Sequence, residues 1–65
     1  MDEDEQRAVQ YLRRAEEVRT IAESVNDEKM REILLAVAED YESLAQTRRR
    51  IAESNKLLGK TATPD

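Results

Sequence analysis

The fold of this chain is decided by residues 30–45, which read MREILLAVAEDYESLA. Apolar residues recur along this stretch at alternating steps of three and four, the spacing of one face of an α-helix. The series consists of Met30, Leu34, Val37, Tyr41, Leu44, Arg48, Ile51, Asn55 and Leu58, flanked by Ile33, Ala38, Ala45 and Ala52. An earlier series with the same spacing consists of Ala8, Tyr11, Ala15, Val18, Ala22 and Val25, flanked by Leu12 and Ile21. The pattern predicts two amphipathic helices and no strand.

The break between the two series falls at Val25–Glu28, where two residues that favour caps and turns, Asn26 and Asp27, stand together. We expect a first helix over about residues 4–25, a turn at 26–27 and a second helix over about 28–58. Gly59 suits the left-handed conformation that closes many helices, and residues 60–65 are expected to form a flexible tail. So short a turn predicts an antiparallel all-α helical hairpin, residues 1–59.

Folding the chain back at the turn brings position i opposite about position 53 minus i. Ala8 then faces Ala45, Ala15 faces Ala38, Ala22 faces Met30 and Tyr11 faces Tyr41. Arg48 lies beside the acidic residues 3–5. The second helix is the longer one, so its last turns, from Ile51 onward, are expected to extend beyond the first helix.

Composition indicates how such a hairpin becomes stable. The chain has 65 residues and no cysteine or histidine, so neither a disulfide nor a histidine-based metal site can stabilise it. A single pair of helices cannot cover all of its large apolar side chains. The sequence therefore predicts a homo-oligomer, a dimer that forms a four-helix bundle with coiled-coil packing. The residues expected to line the oligomer interface are Leu12, Val18, Ile21, Ile33, Leu34, Val37, Tyr41, Leu44, Ile51 and Leu58.

The basic residues leave two alternatives open. Arg13 and the run Arg48–Arg50 lie where the fold-back places acidic residues, which favours local charge pairing. The alternative is a small RNA-binding bundle that uses Arg13, Arg48, Arg49 and Arg50 as a phosphate-binding patch. The net charge of −4 and the absence of an aromatic base-stacking platform beside the arginines argue against nucleic acid. Arg48 and Asn55 also interrupt the apolar series, either as polar residues at a bundle interface or as exposed ones.

Other classes of function find little support. Without histidine, cysteine or a glycine-rich phosphate loop, no residues are arranged for catalysis, and we expect a non-enzymatic protein without cofactor. The abundant carboxylates lack the histidines of di-metal helical bundles, so no metal site is expected. No apolar run is long enough to cross a bilayer, and the chain reads as cytoplasmic, without a membrane partner. The expected role is an interaction or regulatory module that binds another protein.

One resemblance adds to this interpretation. Residues 11–19, YLRRAEEVR, and residues 33–45, ILLAVAEDYESLA, resemble short, functionally uncharacterised helical-hairpin proteins of alphaproteobacteria. The resemblance covers about residues 11–49; it implies a bacterial intracellular hairpin and no particular activity. In size and topology the chain is also similar to ROP-type RNA-modulating hairpin dimers, with which it shares no motif.

Overall fold

The computed structural model describes residues 3–59, which form two α-helices and no strand. Helix α1 spans Glu3–Glu23 and helix α2 spans Glu28–Gly59. The two helices pack against each other as an antiparallel hairpin with principal extents of 54 × 17 × 12 Å. The radius of gyration is 15.9 Å, whereas a compact domain of this length would have about 10 to 11 Å. The predicted all-α hairpin is confirmed.

The connection between the helices comprises residues 24–27 and is held by local hydrogen bonds. The amides of Ser24 and Val25 donate to carbonyls only three residues earlier, which ends α1 at Glu23, two residues before the predicted end. Asp27 caps α2, because its Oδ1 accepts from the amide of Met30 at 3.1 Å. Arg31 Nη2 donates to the Val25 carbonyl at 2.9 Å and so ties the connection to the first turn of α2.

The contact between the helices is built on alanine. Six residues among 3–59 are buried and apolar, all of them alanines, and we call them the alanine seam: Ala8, Ala15, Ala22, Ala38, Ala45 and Ala52. Within each helix they recur at every seventh residue, or every second turn, so they form one straight line. The apolar series places the alanines of α2 at its flank, which is wrong, whereas the fold-back pairing of Ala8 with Ala45 and of Ala15 with Ala38 agrees with their burial in the seam. Small side chains occupy the centre because they allow the closest approach of the two backbones.

The far end of α2 differs from expectation in two respects. Gly59 is the last helical residue and has no positive φ, so the predicted left-handed closure is not adopted there. Ala52 is buried, which means that α1 still covers α2 at this level and that less of α2 extends beyond α1 than expected. The exposed part begins near Leu57, which is 69% exposed. The expected tail, residues 60–65, lies outside the described residues.

Candidate interaction surface

The alanine seam divides the surface of the hairpin into two sides. On one side lie the residues three positions after each seam alanine, and Tyr11 stacks there on Tyr41 with ring centroids 6.1 Å apart and planes at 29°. Two turns further from the connection, Arg48 Nη1 donates to Asp4 Oδ1 at 3.0 Å. Both contacts follow the predicted fold-back, in which the two tyrosines face each other and Arg48 meets the acidic start of α1.

The other side holds the residues four positions after each seam alanine, and its contacts are ionic. Lys56 Nζ lies 3.4 Å from Glu5 Oε2, and Arg19 pairs with Glu42 across the helices. Arg19 also contacts Glu16 of its own helix at 3.1 Å. We call this the charged side, because the contacts across the helices here are ion pairs, although Val9 and Leu12 also lie on it.

The side with the tyrosines is apolar. Along α2 it carries an apolar residue at every seventh position, and we call this row the apolar stripe: Met30, Val37, Leu44, Ile51 and Leu58. Val37 is half-buried, and the other four are exposed, Leu44 at 44% and Leu58 at 59%. Residues Val18 and Ile21 of α1 extend the same side. We call it the apolar side.

The residues predicted for an oligomer interface do not all lie on this side. Val18, Leu34, Val37 and Tyr41 are half-buried in the hairpin, whereas Ile21, Ile33, Leu44, Ile51 and Leu58 are exposed. Leu12 lies on the charged side, in a groove with Glu42 and Arg49. Met30 was expected to face Ala22 but is 47% exposed, and it belongs to the apolar stripe. The sequence signal that could have placed Met30 on the stripe is the recurrence of apolar residues at every seventh position from Met30 to Leu58.

A polar group interrupts the apolar side at one level. The side chain of Asp4 is 17% exposed and that of Arg48 36%, so this ion pair is partly shielded from water. The hydrogen bond to Asp4 is the main factor that raises the pKa of the Arg48 guanidinium above its ordinary value, and Tyr11 contributes in the same direction. The group therefore remains a cation at every physiological pH. Asn55, the other polar residue of the series, is exposed.

The four arginines considered for RNA binding do not converge. Arg48 is engaged with Asp4, while Arg49 lies in the grooves of the charged side beside Glu53. Successive residues of a helix point about 100° apart, so Arg50 faces a third direction. Arg13 lies on the other helix, in a groove that also contains Glu17. The geometry spreads these charges around the hairpin.

No three acidic side chains within the part of the chain that the structure describes are grouped so that they could hold a metal ion. The grooves found there are open and lie on the surface, and their linings mix charged, polar and apolar side chains. Neither described helix is long and apolar enough to cross a membrane. Comparison with known proteins gave no significant match to any family model, curated protein or solved structure. The surface itself is therefore the basis for a functional proposal.

Proposed function

We propose that this chain is a non-enzymatic interaction module, a helical hairpin that self-associates into a dimeric four-helix bundle and in that form binds another protein. The observation that carries the proposal is the composition of the hairpin interior. None of the larger side chains among residues 3–59 is fully buried, and the buried apolar residues are alanines. Full burial of one large aliphatic side chain is worth about 1.5 to 3 kcal/mol, and the lone hairpin forgoes part of this free energy because side chains such as Ile33 remain 53% exposed.

The surface area supports the same proposal. The solvent-accessible surface is 5291 Å², compared with roughly 4,200 Å² for a compact monomer of this mass. The excess is on the order of 1,000 Å², comparable with the surface that each chain buries in a stable protein interface. The excess belongs to the whole elongated hairpin, and the apolar stripe along α2 is the part of that surface suited to a second chain.

The test measures mass and helicity as functions of chain concentration. Sedimentation equilibrium from about 1 to 100 µM should give the mass of two chains, and helicity should fall on dilution as the dimer dissociates. A chain that sediments as a monomer throughout this range, and unfolds cooperatively with the same midpoint at every concentration, would overturn the proposal.

Affinity capture on the intact dimer then tests the binding of another protein. Leu57 and Leu58, near the end of α2, supply exposed aliphatic surface for such a partner. Retention of duplex RNA that disappears at high salt would instead favour the RNA-binding alternative, because phosphate contacts weaken steeply with ionic strength.

A further inference from the structure

The apolar stripe of α2 shows the same order of side-chain branching when it is followed from either end. Leu44 occupies its centre, the β-branched residues Val37 and Ile51 lie seven positions to either side, and the unbranched-at-Cβ residues Met30 and Leu58 form its ends. A second copy that runs in the opposite direction, related by a two-fold axis near Leu44, would therefore present a side chain of matching shape at each level. A self-complementary surface of this kind is what an isologous dimer requires.

Parallel copies would also match in shape, so the distribution of charge is what separates the antiparallel direction from the parallel one. Residues 13–43, the half of the hairpin that contains the connection, carry nine acidic and five basic side chains. Residues 3–12 and 44–59, the other half, carry four acidic and five basic side chains. Antiparallel pairing places the acidic half of each copy beside the slightly basic half of the other, whereas parallel pairing places two acidic halves together.

The helices themselves add a smaller contribution. In an antiparallel pair, the positive N-terminus of one α2 lies near the negative C-terminus of the other. The stacked pair Tyr11–Tyr41 lies next to the centre of the stripe, since Tyr41 is one turn before Leu44. The two-fold axis therefore brings the tyrosine pairs of the two copies together at the middle of the bundle.

We propose that the apolar stripe binds the apolar stripe of a second copy, with the two α2 helices antiparallel and the two-fold axis near Leu44. This inference rests on the proposed self-association and adds its direction and register. The charged side of each hairpin then remains on the outside of the bundle.

Disulfide formation between single introduced thiols tests the inference, since the chain has no cysteine of its own. The variants are Leu44→Cys, Val37→Cys and Ile51→Cys, and Leu35→Cys on the opposite side of α2 is the matched control. In the antiparallel dimer the two copies of position 37 are about 21 Å apart, which is too far for a disulfide. Sedimentation of the reduced variants, compared with the parent chain, checks that each still forms the same assembly.

The expected pattern is specific. The thiol at position 44 links to its own copy, and a mixture of the position 37 and 51 variants gives the mixed disulfide about ten-fold faster than either variant links to itself. The control at position 35 links slowly. Fast self-linking at 37 and at 51, with no mixed product, would show parallel pairing and overturn this inference, although a dimer mass would leave the proposed self-association standing.

Two further results would also overturn it. A dimer that links fastest through position 35 would place the contact on the charged side. A monomer in which duplex RNA or another protein shields the thiol at position 44 from alkylation would place a different macromolecule on the stripe, and it would overturn the proposed self-association as well.

Discussion

The two sides of the alanine seam share the same backbone geometry but differ in how far their side chains find partners within the chain. On the charged side, Glu5 meets Lys56 and Arg19 meets Glu42 within one chain, and pairs so exposed to water contribute little to stability. On the apolar side, most of the large side chains remain partly in water. Free energy is still to be gained on the apolar side, and we therefore propose that this side is the one through which the hairpin associates.

The largest effect is expected from Leu44→Asp, and Leu35→Asp is its matched control. The two leucines are nine residues apart on α2, which is two and a half turns, and they are 44% and 40% exposed. Aspartate at position 44 places a charge where the second copy should bind, and we expect the dissociation constant of the dimer to rise at least about 100-fold. Leu35→Asp, on the charged side, should change the dissociation constant by no more than a few-fold. Sedimentation equilibrium measures both, and equal effects would remove the distinction between the sides.

The second prediction concerns the seam that both sides share. Ala38 is fully buried, whereas Ala36 is exposed on the same helix. Ala38→Leu forces the helices apart, and we expect the free energy of unfolding to fall by about 1 to 3 kcal/mol. Ala36→Leu should change it little. Urea unfolding at one fixed chain concentration compares the two variants, and a stabilised Ala38→Leu chain would contradict the close packing of the seam.

A third, smaller effect is expected from the N-terminal cap of α2, which belongs to neither side of the seam. Asp27→Ala removes the side-chain acceptor of the Met30 amide at the start of α2. We expect a loss of about 1 kcal/mol in thermal or urea unfolding. The neighbouring change Asn26→Ala serves as the control. Disulfide linking through an added thiol at position 44 should keep its pattern in the Asp27→Ala chain, and an altered pattern would mean that the connection helps to select the side that associates.

The smallest effect should come from the polar group on the apolar side. Arg48→Ala removes the hydrogen bond to Asp4, whereas Arg50→Ala removes an exposed charge that points elsewhere. We expect a modest drop in melting temperature for the first change and none for the second. The difference should shrink in 1 M salt, which screens a partly exposed ion pair. A difference that persists in high salt would assign Arg48 a packing role.

Much of the hairpin could be predicted from sequence, because the signals for it are local. The three-and-four spacing identified both helices, and Asn26 and Asp27 marked the connection. The facing of Tyr11 and Tyr41 followed from folding the chain back at this point. These features depend on backbone periodicity and capping, which neighbouring residues determine.

The rotation of α2 about its axis was harder to predict. A wide apolar arc shows which half of a helix avoids water, but it does not show which residues stand at the centre of the contact. The apolar series runs through large residues such as Leu44 and leaves Ala38 and Ala45 at its flank, although the fold-back pairs both with alanines of α1. The structure buries these two alanines at the centre of the contact. Close approach of two backbones requires small side chains between them, and the sequence shows this requirement only as the repeat of alanine at every seventh position.

The four-residue connection also has a kinetic consequence. Closing so short a loop takes on the order of 10 to 100 ns, and helix formation takes about a microsecond or less. Encounter of two chains at micromolar concentration is far slower, because association rate constants of about 10⁵ to 10⁷ M⁻¹s⁻¹ give times of roughly 0.1 to 10 s. In the proposed dimer, each newly made chain would therefore meet its partner as a preformed but fraying hairpin, and a protease would have that interval in which to cut it.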